Sequence, residues 1–270
     1  MRSRMSAVLS LGIALAVQPA FSQPADVESS ASPMRPAVRA KGYLIEDEYP
    51  DSSALLPPPP APGSTALALD EELNKQTLRL RGTARWELAA SDAIPDSGRA
   101  FSCAAVLPIS EKNSPALYTL LRRSAADVGP VVTRTKKLHQ RKRPFLINKQ
   151  PTCVPRAEEV TAYDGSYPSG HTAAGWLWAL ILAELVPEKT DAILARGWEY
   201  GQSRAVCNVH YQSDVTAGRT VGSALVARLH ANEEFRADLE AAREEVAKLS
   251  AEGLPPERDC EAEAAALAVK

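Results

Sequence analysis

Apolar residues recur at three- and four-residue intervals over most of the chain after Ser64, which is the period of an amphipathic α-helix. The first predicted helix is capped by Asp70 and carries Leu73, Leu80, Ala84 and Leu88. Further helices are predicted from Ser114-Pro115, from Ser169 or Thr172 to about Leu185, from Thr190-Asp191, from Ser213-Asp214, and over about Glu233 to Ser250. Strand patterns are almost absent. We therefore expect an all-α fold, a single-domain helical bundle.

The first residues show a different pattern, which is typical of a targeting segment. Arg2 and Arg4 precede the apolar run Met5 to Val17, and the small residues of Ala20-Phe21-Ser22 end it. This layout predicts a signal peptide over residues 1–22, with cleavage after Ser22. A membrane anchor is the alternative, but a run of about 13 residues is shorter than the roughly 20 that span a bilayer. We expect export and no membrane insertion.

No apolar period is visible between this segment and the first helix. Residues 23–54 are mixed polar with several prolines, and we expect a poorly ordered or extended N-terminal arm. The run Pro57-Pro58-Pro59-Pro60 favours polyproline II and predicts a rigid strap packed on the domain. The helical domain is expected over residues 55–250, and residues 251–270 are expected to form a C-terminal tail.

Composition and charge are those of an ordinary globular protein. The 270 residues are 45% hydrophobic and 24% charged, and the formal net charge of -2 gives no basic field for nucleic acid. The sequence has no CxxC pair, which disfavours a zinc site. Four cysteines permit two disulfides in three pairings, with unpaired buried thiols as the alternative. They are Cys103, Cys153, Cys207 and Cys260.

Three short segments together carry residues suited to phosphate chemistry. They are Lys136-x6-Arg143-Pro144, Gly165-Ser166-Tyr167-Pro168-Ser169-Gly170-His171-Thr172 and Ser203-Arg204-x5-His210-x3-Asp214. Each has a plainer interpretation when taken alone, since the basic run could be a solvated face and either histidine could be structural. In combination they fit one task, which is to hold and transfer a tetrahedral dianion.

Such an anion needs several converging donors. Lys136 offers a mobile point charge, and Arg143 and Arg204 offer planar forks that bind oxygens in pairs. Ser169 and Gly170 lie where a helix is predicted to begin, so the hydroxyl and the amide there favour an anion. Gly170 also lets the backbone approach a ligand closely.

Two histidines can divide the transfer between them. Asp214 lies four residues beyond His210, where its carboxylate can hold the proton of one ring nitrogen and direct the lone pair of the other at phosphorus. His210 is therefore predicted to be the nucleophile, and His171 is the general acid by elimination. His139 and His230 have no such neighbours, although His139 could lie near the pocket rim.

The three segments resemble the signature of the phosphatidic acid phosphatase type 2 superfamily, and more narrowly that of the bacterial class A non-specific acid phosphatases. The resemblance covers about residues 55–250 and extends to Leu56 to Pro60, Ala89 to Ala93, Gly201 to Arg204 and Gln212 to Val215. It implies an all-helical periplasmic enzyme that hydrolyses small phosphomonoesters at acidic pH, without metal or cofactor, through a phosphohistidine. A homodimer and phosphoryl transfer to alcohols are further expectations. The implied phosphate-binding residues are Lys136, Arg143, Ser169, Gly170 and Arg204, and the implied catalytic residues are His171, His210 and Asp214.

Some positions depart from the class. Asn208 and Tyr211 stand where its members more often have Gly and Trp, and Leu146-Ile147-Asn148 is atypical, which leaves the leaving-group preference open. Cys103 and Cys260 are unusual for the class and suggest one extra bridge.

Three other functions are compatible with part of this residue set. A vanadium-dependent haloperoxidase would bind vanadate on His210, but the chain is short for one. A membrane-embedded lipid phosphatase is disfavoured by the lack of spanning segments. A catalytically idle phosphate-binding protein would not need both histidines and Asp214.

Overall fold

The computed structural model describes residues 40–94, 96 and 98–269, with the backbone alone for Val160. The predicted signal peptide and the arm up to residue 39 lie outside these residues. The described residues form α-helices joined by turns and short 3-10 helices, with no strand among them. The predicted all-α fold class is confirmed.

The α-helices of the described part begin and end as follows: Ser52–Leu55 (α1), Thr65–Thr77 (α2), Ala84–Ser91 (α3), Ser102–Ala105 (α4), Pro115–Ala126 (α5), Val128–His139 (α6), Pro144–Asn148 (α7), Glu158–Ala162 (α8), Gly170–Leu185 (α9), Thr190–Val206 (α10), Gln212–Leu229 (α11), Glu233–Glu252 (α12) and Cys260–Ala268 (α13). The 3-10 helices are Glu46–Glu48, Leu78–Leu80, Arg99–Phe101, Pro155–Ala157 and Pro187–Lys189.

Helix α9 is the central element of the core. It is apolar on most of its faces, is largely buried, and packs chiefly against α10 and α11. Gly218 and Gly222 allow the close approach of α11, because a Cβ atom there would lie 2.5 Å from the carbonyl oxygen of Ser169 and 2.6 Å from that of Ala173. The packing therefore fixes the start of α9 beside the start of α11.

Helix α12 packs chiefly against α5 and also contacts α9. Its predicted apolar stripe is confirmed, since all five members are buried: Phe235, Leu239, Ala242, Val246 and Leu249. Because the stripe repeats at helical spacing, it places one apolar face inward, and the charged residues lie on the other faces.

Several predicted helix starts need correction. Ser64, not Asp70, caps α2, since its Oγ accepts a hydrogen bond from the Leu67 amide at 3.2 Å. Asp70 lies inside α2 and is buried against partners from other segments, which local pattern cannot reveal. The single helix predicted beyond Asp70 is two helices separated by a turn. Thr190 and Ser213 lie within the first turns of α10 and α11 rather than before them.

The compact unit extends beyond the predicted domain at its N-terminal end, because it includes described residues before position 55. Tyr43 and Leu44 are buried, and their amides donate to the Asp127 carboxylate at 2.9 and 3.3 Å. Ser52 Oγ donates to the Val131 carbonyl at 2.6 Å. The predicted arm is therefore packed on the helices from Tyr43 onward, because this part carries buried apolar side chains and hydrogen-bonding groups. The prolines of the arm made this pattern hard to recognise in the sequence.

The expected C-terminal tail also contains a packed element, α13. Cys260 at its start forms a disulfide with Cys103, and the Glu263 carboxylate accepts from Arg196 Nε at 3.3 Å. The second disulfide joins Cys153 and Cys207, so both bridges form and none of the described cysteines is free. Among the described residues, no helix has both the length and the apolar character needed to cross a membrane.

Candidate active site

Helix ends and the loops beside them supply every residue that the sequence predicts for the site. Lys136 is near the end of α6, Arg143 precedes α7, Ser169 precedes α9, Gly170 and His171 begin α9, Arg204 is near the end of α10, His210 lies just before α11, and Asp214 is in the first turn of α11. The contacts below join these segments into one cluster.

The buried Arg143 guanidinium connects three of the loops. Its Nε donates to the carbonyl oxygens of Thr161 (3.0 Å) and Asp164 (3.1 Å), and its Nη1 donates to that of Val209 (2.9 Å). Nη1 also lies 3.0 Å from His210 Nε2. Because a guanidinium has only donors, Nε2 of His210 must be the acceptor and must carry the lone pair, which leaves the ring proton on Nδ1.

The Nδ1 atom of His210 faces the buried carboxylate of Asp214. The distance from Nδ1 to Oδ2 is 3.6 Å, which is longer than a hydrogen bond. Oδ2 accepts from the Ser166 hydroxyl and from the Tyr211 amide (2.8 Å), and Oδ1 accepts from Arg141 Nη1 (2.6 Å). Three donors therefore fix the carboxylate beside the nitrogen whose proton it is predicted to hold, and such contacts commonly tighten when a substrate binds.

Arg141 links this carboxylate to α2, a role that the sequence analysis missed. Its Nη2 donates to Asp70 Oδ2 at 2.8 Å, and Asp70 Oδ1 accepts from the Ser213 amide at 2.9 Å. The guanidinium also lies over the Tyr211 ring, 4.3 Å from its centroid. The Asp70–Arg141–Asp214 chain is almost wholly buried and fixes the start of α11 against α2.

Lys136 and Arg204 supply the remaining cationic donors. Lys136 Nζ donates to Asp164 Oδ2 at 2.6 Å and to the Gly165 carbonyl at 2.5 Å. Arg204 is 4% exposed, and its Nε and Nη1 make no hydrogen bond to any of the described residues. Buried donors without partners are costly, so these two nitrogens suit an anionic ligand.

The start of α9 has the geometry of an anion-binding helix terminus. Ser169 caps the helix, since its Oγ accepts from the Thr172 amide (3.3 Å) and hydroxyl (2.9 Å) and keeps its own proton to donate. A Cβ atom at Gly170 would meet only Val132, at an ordinary 3.5 Å. The protein itself therefore does not require glycine there, which fits a close approach by a ligand.

His171 has fewer partners than His210. Its Nε2 lies 3.1 Å from the Ala93 carbonyl oxygen, so Nε2 carries a proton and Nδ1 is left to gain and lose one. The carbonyl is anchored through its neighbour Asp92, whose buried carboxylate accepts from both Arg196 Nη atoms and from Ser203 Oγ. This explains why Ser203 belongs to the motif without being a phosphate ligand.

The cations act on both imidazoles. Burial, reinforced by Arg204, Arg143 and Lys136, lowers the pKa of His171 to about 3. Burial and the same three cations lower the pKa of His210 well below its usual value. Burial and the nearby Arg143 also lower the pKa of Lys136, although Asp164 opposes this. Both rings are therefore neutral near neutral pH, which suits a nucleophile directly and an acid only once an anion has bound.

Two departures from the class pattern belong to one cluster of side-chain amides. Asn208 has a left-handed φ of 63°, which Gly adopts freely and Asn tolerates. Its Oδ1 accepts from Asn148 Nδ2 at 2.8 Å and from Asn74 Nδ2 at 3.0 Å. The atypical Asn148 therefore stabilises the residue that replaces glycine two positions before His210.

The other two histidines have different partners. The His139 ring packs edge-on against Tyr167, whose hydroxyl donates to the Pro57 carbonyl of the proline strap at 2.7 Å. His230 Nε2 lies 3.1 Å from the Glu184 carboxylate. Within the described ranges, no three His, Cys, Asp or Glu side chains are grouped as a metal site requires.

Comparison with known proteins places this cluster in a family. Residues 116–236, which include every predicted site residue, match the PAP2 superfamily. The chain is 46% identical over 211 residues to a non-specific acid phosphatase of Providencia stuartii, covering 77% of this chain and 85% of the relative. It is 40% identical to an acid phosphatase of Zymomonas mobilis (74% and 77% covered) and 39% identical to a non-specific acid phosphatase of Salmonella typhimurium (74% and 82%). The chain belongs to the PAP2 superfamily and, within it, to the non-specific acid phosphatases.

Proposed function

We propose that this protein is an acid phosphatase that hydrolyses a broad range of phosphomonoesters through a phosphohistidine on His210, with His171 as the general acid. The observation that carries the proposal is the state of His210, whose Nε2 lone pair lies among buried cations while Nδ1 faces a fixed carboxylate. The acid phosphatases that match most of the chain support it.

Substrate binding uses donors that the protein leaves available or can release. The Nε and Nη1 of Arg204 donate to no protein acceptor within the described part and can each bind a phosphoryl oxygen. Gly170 and Ser169 add the N-terminus of α9, and Lys136 adds a point charge. This set recognises the phosphoryl group and not the alcohol, which is the basis for a broad substrate range.

In the first step, the Nε2 lone pair of His210 attacks phosphorus, and the bond from phosphorus to the ester oxygen breaks. The proton on Nδ1 of His171 moves to that oxygen, which leaves as an alcohol. The Asp214 carboxylate stabilises the positive charge that develops on the His210 ring.

In the second step, a water molecule attacks phosphorus and the bond to Nε2 breaks, which returns the lone pair to His210. His171, now neutral, takes the proton that the water loses. Phosphate then leaves. An alcohol can replace the water, so phosphoryl transfer to alcohols follows from the same chemistry.

The two histidines must differ in charge when substrate is bound. With a pKa of about 3, His171 is neutral at pH 5 until the phosphoryl group offsets the field of the cations. A phosphomonoester has its second pKa near 6, so at acidic pH the monoanion brings the required proton with it. We infer that the acidic optimum reflects this proton, which the dianion lacks.

The experiment that tests the proposal compares His210→Ala with His230→Ala, since His230 lies at the far end of α11. A panel of nucleotides, sugar phosphates, phytate and aryl phosphates is assayed with a chelator present. We expect the wild type and His230→Ala to hydrolyse several classes and His210→Ala to hydrolyse none. Full activity of His210→Ala would end the proposal.

Export to the periplasm is the remaining part of the proposal, supported by the sequence pattern of residues 1–22. Expression of the full chain in a Gram-negative host should yield a periplasmic protein that begins at Gln23. An uncleaved N-terminus found only in the cytoplasm would contradict it.

A further inference from the structure

Asp164 lies on the solvent side of the phosphate-binding cations, and neither the motifs nor the catalytic steps above account for it. It directly precedes the Gly165 to Thr172 run. Its Oδ2 accepts from Lys136 Nζ at 2.6 Å and from Arg143 Nη2 at 3.3 Å. Its side chain is 52% exposed, whereas those of the two cations are 7% and 4% exposed.

This carboxylate differs from the other acidic residues of the site. Asp214 and Asp92 are fully buried, and several neutral and cationic donors hold each of them in place. Within the described part of the chain, the hydrogen bonds of the Asp164 side chain go to Lys136 and Arg143 through one oxygen. A half-exposed carboxylate held by ion pairs alone can be displaced at small cost.

The donors that Asp164 uses are those a phosphoryl group needs. The Nε and Nη1 of Arg143 are engaged by backbone carbonyls and by His210, so its Nη2 is the atom that can turn to an anion. Lys136 divides its donors between Asp164 and the Gly165 carbonyl. A phosphate bound by both cations must therefore displace the carboxylate or lie against a like charge.

The displaced side chain has a place to go. A cavity of about 560 Å³ borders Asp164 and Lys136, and it is lined as well by Lys137, Gln140 and Lys142. Two further cations thus face the space into which the carboxylate can turn. Rotation of the Asp164 side chain alone is enough to move its carboxylate into this cavity. The neighbouring Tyr163 does not block the movement, because this residue is 95% exposed to solvent and leaves the loop surface open.

We propose that Asp164 is a displaceable counter-ion that competes with phosphate for Lys136 and Arg143 and thereby sets the affinity for substrate and product. The proposal rests on the proposed function, since it assigns phosphate to the same cations. It offsets part of the positive charge of two buried cations before substrate arrives, and it helps expel the phosphate product by pairing with the same donors again.

The alternative is that Asp164 merely positions Lys136 and Arg143, and the two roles predict opposite signs. Loss of a competitor strengthens phosphate binding, whereas loss of a positioning group weakens it. Asp164→Asn removes the charge with little change in shape, and Asp164→Ala removes both. Glu159→Gln is the matched control, because Glu159 is an exposed carboxylate of the preceding helix α8.

The test measures binding of inorganic phosphate by calorimetry, together with KM and kcat for an aryl phosphate. We expect both Asp164 variants to bind phosphate about three- to tenfold more tightly than wild type, with KM lowered in parallel and kcat reduced through slower product release. Glu159→Gln should match wild type.

The outcomes separate this inference from the proposed function. Unchanged or weaker phosphate binding in both Asp164 variants, with an active wild type, would overturn the inference and leave the proposed function standing. The same tightening in Glu159→Gln would also overturn it, because a general charge effect would then suffice. A wild type that neither binds phosphate nor hydrolyses the ester would overturn both.

Discussion

The two histidines of the site stand in contrasting surroundings. Both ring nitrogens of His210 face fixed side chains, a buried guanidinium on one side and a carboxylate held by three donors on the other. Within the described residues, the ring of His171 has one hydrogen bond, to the backbone carbonyl of Ala93. A nucleophile must present one tautomer throughout, whereas an acid must give up and regain a proton in every turnover. The fixed surroundings of His210 thus suit the proposed nucleophile, and the simpler surroundings of His171 suit the proposed general acid.

The largest effect short of removing the nucleophile is expected from Asp214→Asn. The amide would offer a donor to Nδ1 of His210 where the carboxylate offers only acceptors, which favours the tautomer with the proton on Nε2. We expect kcat to fall by roughly 10³- to 10⁴-fold, as when a carboxylate that orients a catalytic histidine becomes an amide. Steady-state kinetics with circular dichroism as the check on folding would measure it.

Ser166→Ala is the control for that substitution. It removes one of the donors to Asp214 and leaves the carboxylate and its charge in place. A loss in Ser166→Ala as large as in Asp214→Asn would show that general disruption of the network, and not the tautomer of His210, is responsible.

His171→Ala should have an effect that depends on the leaving group and that is smaller than that of Asp214→Asn when the leaving group is good. General acid catalysis contributes about 10²- to 10⁴-fold where the departing oxygen needs a proton. We expect a loss of that size with an alkyl phosphate and a far smaller loss with a 4-nitrophenyl ester, whose phenolate leaves unaided. Equal losses with both substrates would remove His171 from the role of acid.

The pH profile sharpens the contrast further. Because the pKa of His171 is about 3, the proton for the leaving group is expected to arrive with the substrate monoanion. Above the second pKa of the ester, near 6, kcat/KM should fall about tenfold per pH unit. Esters with different second pKa values should shift this limb accordingly, and a limb that stays fixed for all of them would point to a protein group instead.

Removal of either disulfide is expected to have the smallest effect on catalysis. One disulfide supports the surroundings of His171, and the other supports those of His210. The Cys103–Cys260 bridge closes a sequence separation of 157 residues and holds α13, whose Glu263 contacts the Arg196 that anchors Asp92 beside Ala93. Its double Ser variant should lose about 2–5 kcal/mol of unfolding free energy. Any fall in kcat should be greater for alkyl than for aryl esters.

Cys153–Cys207 is the matched comparison, because Cys207 lies three residues before His210. Its double Ser variant should lower kcat for alkyl and aryl esters alike. Chemical denaturation and the two assays measure both variants. An identical substrate pattern for the two pairs would contradict this division between the surroundings of His171 and those of His210.

The sequence was sufficient for the fold class, for the stripe of α12, and for the residues that now form one cluster. These depend on helical period and on motif spacing, which are local. The basic run from Arg134 to Arg143 shows what the sequence pattern could not decide, which is the burial of each basic residue. Lys136 and Arg143 are buried, whereas Arg134 is exposed. A usable signal was the stripe of Val131, Val132 and Thr135 in α6, which continues onto Lys136.

Partners far apart in sequence could not be predicted. Asp70 pairs with Arg141, which lies 71 positions away in the sequence. Because the local pattern does not show this partner, Asp70 resembled a helix cap and not a buried residue inside α2. Asp164 precedes a motif that does not include it, and its partners lie 21 and 28 positions earlier in the chain. Asn208 and Asn148 looked like separate departures because their pairing depends on the backbone turn before His210.

The most direct test of the central claim is to trap the covalent intermediate. A radiolabelled phosphomonoester is mixed rapidly with the enzyme at its optimal pH, the reaction is quenched under alkaline denaturing conditions that preserve phosphohistidine, and the labelled peptide is sequenced by mass spectrometry. We predict one phosphoryl group on Nε2 of His210, and none in His210→Ala. Label on another residue, or turnover with no trapped label and with inverted configuration at a chiral phosphorus, would contradict the account.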